Sequence, residues 1–150
     1  MTQIDFYIVD EDATHSREQL LCRLVDKIWQ QDRQIHIHTE SSRHSAVVDE
    51  LLWTYQAGSF IPHAVYQQGL ATPAPVLVGH QDDPAYHSDV LINMAPQVPL
   101  FFSRFERVLE LVNSVPEIRQ HGRERYRFYT DRGYSIKTHN LGAQTAGAVR

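Results

Sequence analysis

The chain has 150 residues, of which 42% are hydrophobic, enough for one compact core and too short for a second full domain. Its formal charge of −4 argues against a broad phosphate-binding surface, its single cysteine excludes an internal disulfide, and no apolar run reaches membrane-span length. The charge is uneven: from Arg104 to Lys137 there are 8 basic and 5 acidic residues, against 6 and 13 elsewhere, so a basic final third follows an acidic body. The start of the chain lacks the basic residues of a secretory signal.

Ile4–Val9 is β-branched and aromatic and predicts a buried strand, with Asp10, Glu11 and Asp12 after it. Ser16 and Gln19 have capping-box spacing, and the apolar spacing from Leu20 to Ile28 predicts an amphipathic helix over 16–31. Gln34–Thr39 alternates as a strand. Val47, Val48, Leu51, Leu52 and Tyr55 mark a second helix ending near Gly58. Short strands are expected at Val76–Val78 and Val90–Ile92, with a turn at Asp82-Asp83-Pro84 between them. Phe101, Phe102, Phe105, Val108, Leu109 and Val112 fall on a 3.6-residue period and predict a helix. Pro116 opens another helix that runs to about Asp131, stopped by Gly133, and Ser135–His139 predicts a last strand. Residues 1–140 thus make one α/β domain: a Rossmann-like three-layer arrangement of a mostly parallel sheet flanked by helices. Residues 141–150 lack periodicity and are expected to be a disordered tail.

Signals for catalysis are weak. No Gly-x-Gly-x-x-Gly follows the first strand and no Walker-type loop occurs; the acids found there would repel a phosphate. Asp10, Asp12, Asp82 and Asp83 follow strands and could hold a hard divalent ion for a hydrolase or nuclease, but they also read as solvated turn acids. His36 and His38 share one strand face without a clear third ligand, and the nine histidines read better as scattered over the surface. Cys22 sits among the apolar positions of the first helix, as a small core residue. No cofactor, metal or catalytic set is expected.

Two stretches read as binding surfaces. Arg119, Arg123, Tyr126 and Arg127 stand at i, i+4, i+7 and i+8 on one helix face. Guanidiniums beside an aromatic ring suit a target with carboxylates and an apolar group, although a solvated charged face has the same composition. A single-stranded nucleic-acid binder using Arg123, Arg125 and Arg127 with Tyr126 is a further alternative. Trp53, Phe60 and Pro62 lie where a helix runs into an aromatic loop, as a partner anchor or as a cap on the core.

Six stretches taken in order, Phe6-Tyr7…Asp10-x-Asp12, Asp49-Glu50-x-x-Trp53, Ser59-Phe60-x-Pro62-His63, Ala74-Pro75-Val76, Asp89-Val-Leu-Ile92 and Arg123-Glu-Arg-Tyr126, resemble the chi-subunit family of bacterial DNA polymerase III over residues 4–139. The resemblance implies a non-enzymatic accessory subunit of the clamp loader, working in the cytoplasm at the replisome. It implies a Rossmann-like fold without a nucleotide site. Two partners follow from it: the psi subunit, and the acidic C-terminal tail of single-stranded-DNA-binding protein, which ends in Pro-Phe. DNA is then reached only indirectly. The family's tail-binding positions match Val112, Arg119 (usually lysine), Arg123 and Tyr126, and its psi-facing positions match Trp53, Phe60 and Pro62.

Overall fold

The computed structural model describes residues 1–10, 16–55, 61–67, 74–81, 84 and 86–142. In chain order these form β1 (Gln3–Asp10), α1 (Ser16–Trp29), β2 (Ile35–His38), α2 (Ser42–Thr54), β3 (His63–Val65), β4 (Val76–Gly79), β5 (Val90–Asn93), β6 (Arg107–Val112), α3 (Pro116–Asp131) and β7 (Ile136–Gly142). One sheet holds all seven strands in the order β3-β4-β2-β5-β6-β1-β7, and every pairing is parallel. The expected α/β three-layer fold is therefore present. The tail residues 143–150 lie outside the described residues, and β7 reaches Gly142, just past the expected edge of the domain.

Side chains alternate along a strand, so a parallel sheet needs cover on both faces. On one face Tyr7, Val9, Leu109, Leu111, Ile35 and Ile37 pack against Leu20, Leu21, Leu24, Val25 and Ile28 of α1 and Val48 and Leu52 of α2. On the other, Ile4, Phe6, Leu91, Val108 and Val112 meet Phe101, Phe102, Phe105 and Tyr129 of α3. Cys22 lies in the first of these cores, and burial pushes its thiol up to about 12, so it is an apolar filler, not a nucleophile.

Local chemistry sets the ends of the helices. Ser41 caps α2, its Oγ accepting from the His44 amide at 3.1 Å. Pro116 stands in the first turn of α3, and Gly133, at φ 82°, takes the left-handed conformation that ends the helix. Ser16 begins α1 from inside the helix, and its Oγ accepts from Asn113 Nδ2 at 3.0 Å.

Two expectations need correction, and one strand has no counterpart in the sequence reading. The helix read over Phe101–Val112 is instead a 3-10 turn at Phe102–Arg104 followed by β6, which lies between β5 and β1. A strand buried on both faces is apolar at nearly every position, so it satisfies a helical period by chance. The strand β3 is three residues long and gives no periodic signal. Finally, the histidines are not all on the surface: His36 is fully buried.

The His36 ring stands about 6 Å from the rings of Tyr66, Phe101 and Phe105, and among the described residues neither of its nitrogens has a hydrogen-bond partner. Burial, helped by neighbouring His38, His87 and Arg104, pushes its pKa down to about 3. The folded state thus keeps His36 neutral while the unfolded chain protonates it near pH 6.5. This contribution to stability is fully present above pH 6.5 and is lost as the pH falls toward 3, by at most about 1.4 kcal/mol per pH unit. Urea midpoints of the wild type should fall more steeply between pH 7.5 and pH 5 than those of His36→Leu; parallel curves would contradict this.

Candidate functional site

The basic helix and the sheet enclose a cavity of about 350 Å³. Its floor comes from the sheet: Phe6 and Ile8 of β1 and Val112 of β6 turn the same way because β1 and β6 pair in register, Phe6 with Glu110 and Ile8 with Val112. Arg119, Gly122, Arg123 and Tyr126 of α3 form one wall, and Asn140 of β7 closes the far side. The spacing i, i+3, i+4 and i+7 places all four α3 residues on one helix face.

Gly122 sets the approach of the helix. A Cβ there would lie 2.9 Å from Val112 Cγ2, so only glycine lets α3 settle this closely on β6. A mid-helix glycine costs about 1 kcal/mol against alanine, which close packing must offset. Tyr126 is 42% exposed, and its ring meets Phe6 edge-on at 5.2 Å. The rim is cationic. Arg119 Nη2 lies 3.7 Å from Asp10 Oδ1, and Arg123 Nη1 donates to Gln120 Oε1 at 3.4 Å. An apolar floor under two half-free guanidiniums can take a ligand that carries both a ring or alkyl group and carboxylates.

The structure brings Val112, Arg119, Arg123 and Tyr126 to one cavity; Arg127 is exposed nearby but does not line it. Arg125 faces the other way, which corrects the nucleic-acid grouping of Arg123, Arg125 and Arg127. Its side chain is 2% exposed, and Nε donates to Glu110 Oε1 at 2.7 Å while Nη1 donates to the Pro96 carbonyl at 3.0 Å. The fully buried Glu110 also accepts from Tyr129 Oη at 2.6 Å and Asn93 Nδ2 at 3.0 Å. Burial and the adjacent Glu110 charge hold the Tyr129 hydroxyl far above its ordinary pKa, so it stays a donor. This network ties α3 to the sheet from behind the cavity.

Phe6, Ile8, Gly122 and Asn140 are not among the binding residues that the sequence points to, although Phe6 is one of those that carry the family resemblance. Gly122, a glycine within a helical pattern, carried a usable signal of close approach. The floor did not, because it depends on strands about a hundred residues apart pairing.

At the second surface, Trp53 lies in the last turn of α2 and is 49% exposed. Its ring rests 4.4 Å from that of His63, which follows the half-buried Pro62. The His63 nitrogens contact the Ile61 carbonyl at 2.7 Å and the Asp49 carbonyl at 3.1 Å, so the platform under Trp53 is fixed. Phe60 lies outside the described residues.

Of the acids considered for a metal, Asp10 accepts from Ser114 Oγ at 3.1 Å, while Asp12, Asp82 and Asp83 lie outside the described residues. Among the described residues no group of three or more His, Cys, Asp or Glu side chains is placed to hold a metal ion. Nor is any helix there long and apolar enough to cross a membrane.

The family described as DNA polymerase III chi subunit, HolC, matches residues 1–137. The DNA polymerase III subunit chi of Pseudomonas aeruginosa is 37% identical over 141 residues, covering 94% of this chain and 98% of the relative. Those of Haemophilus influenzae and Escherichia coli are 28% and 29% identical, over 91% and 92% of this chain and 96% and 97% of their own lengths. In fold the chain is similar to a crystal structure of T4 UvsW, with a TM-score of 0.66 at 8% identity, over 94% of this chain and 42% of that one. That likeness shows the α/β architecture alone. With the family match running over nearly the whole chain, this chain belongs to the DNA polymerase III chi subunit family.

Proposed function

We propose that this protein is a non-catalytic accessory subunit of the clamp-loader complex that bridges the psi subunit and the acidic C-terminal tail of single-stranded-DNA-binding protein at the bacterial replisome. The observation that carries the reading is the cavity that joins Phe6, Ile8 and Val112 to Arg119, Arg123 and Tyr126. The terminal phenylalanine of the tail fills the apolar floor and packs against Tyr126. Arg123 and Arg119 take the terminal carboxylate and the nearest aspartate, and Arg127 meets acids further up the tail. The acidic body of the subunit keeps it off bare phosphate, so DNA is reached through the partner. Trp53, set on His63, anchors psi together with Phe60 and Pro62.

A fluorescent peptide of several aspartates ending in Pro-Phe tests the tail site. It should bind saturably at low salt, weaken steadily as salt rises, and lose binding when the terminal phenylalanine is deleted. Binding indifferent to both changes would overturn the assignment. For the other surface, Trp53→Ala should lose co-purification with psi and keep both its melting temperature and its peptide affinity; an unfolded variant would instead assign Trp53 to the core.

A further inference from the structure

We propose that Asp10 is a built-in competitor for Arg119, so that an acidic ligand entering the cavity must first take that guanidinium from the protein's own carboxylate. The inference rests on the acidic-tail reading of the cavity and adds a restraint on its affinity. Asp10 is the last residue of β1, and its side chain is 81% exposed. It is nevertheless aimed: Oδ1 accepts from Ser114 Oγ at 3.1 Å and lies 3.7 Å from Arg119 Nη2. Ser114 sits in the turn between β6 and α3, and that turn is anchored on both sides of Asn113. The Asn113 Nδ2 donates to Ser16 Oγ at 3.0 Å, and its Oδ1 accepts from the Val115 amide at 3.1 Å.

The two rim arginines are therefore not equivalent. Arg123 is held by a neutral amide, Gln120 Oε1, at 3.4 Å, and gives it up at little loss. Arg119 already faces a carboxylate, so a ligand carboxylate there exchanges one ion pair for another. The displaced Asp10 also remains beside the ligand as a like charge. Both effects lower affinity for acidic peptides without altering the apolar floor, and a peptide that engages only Arg123 escapes most of the penalty.

The test is D10N, an isosteric change that keeps an acceptor for Ser114, measured with the labelled aspartate peptide ending in Pro-Phe at low salt. Wild type, D10N, R119A and the double variant are titrated side by side. For an exposed pair D10N should bind about two- to five-fold more tightly than wild type. That gain should largely disappear in the R119A background. Wild type and D10N binding equally would overturn the competitor role and leave the cavity reading standing. An undiminished gain in the R119A background would also overturn it, since Asp10 would then act only as a general repulsive charge. If neither protein binds the peptide, the cavity reading itself fails and the competitor with it.

Discussion

Replacing Glu110 with alanine is expected to lower the unfolding free energy by about 3–5 kcal/mol, read as a large drop in the urea midpoint. Glu110 is fully buried in the middle of β6 and accepts from Arg125, Tyr129 and Asn93. Its loss strands the Arg125 guanidinium, 2% exposed, in the interior without its carboxylate. Domains of this size have only about 5–15 kcal/mol in hand, so one such change removes a large share. Removing both charges is a different case: buried pairs exchanged for well-packed apolar groups are often neutral or stabilising. Glu110→Leu with Arg125→Met and Tyr129→Phe should therefore recover part of what Glu110→Ala loses. A Glu110→Ala unfolding free energy within about 1 kcal/mol of wild type would mean that this network does not hold α3 in place.

Arg123→Ala should weaken the acidic peptide by about 2 kcal/mol, roughly thirty-fold, with an unchanged melting temperature. The stability expectation follows from its exposure and from a single 3.4 Å contact to Gln120. The affinity expectation follows from desolvation: once a phenyl ring fills the floor beside it, the guanidinium and its carboxylate partner exclude water, and removing one strands the other. Arg123→Lys should recover only part, because a point charge does not reproduce the bidentate fork. Arg119→Ala should lose less than Arg123→Ala, because Arg119 already has Asp10 as a partner. Equal affinities for wild type and Arg123→Ala would sink the tail assignment.

How much of this was legible in the chain follows from the range of the forces involved. The helix α3 and the alignment of Arg119, Arg123 and Tyr126 depend on neighbours within two turns, and spacing reveals them. The strands β1, β4 and β5 are announced by short β-branched runs. Strand β6 was misread because its run of Val108, Leu109, Leu111 and Val112 is apolar on both faces and fits either period. The strand order and the cavity floor rest on the pairing of β1 with β6, which no local pattern encodes. Arg125 stands among Arg123 and Arg127 in sequence, but two residues along a helix is a turn of about 200°, which puts it nearly opposite both.

The seat of α3 has a consequence for tuning the site. Only Gly122, Arg125 and Tyr129 are buried along its sixteen residues, and two of these reach the sheet through polar atoms. A greasy stripe tolerates small rotations about the helix axis, whereas a hydrogen-bonded seat has one angular setting. The rotational phase of the binding arginines is thus fixed by groups they never touch. Substitutions around Glu110, Asn93 or Tyr129 should change which acidic sequences are preferred without altering a single residue of the cavity wall.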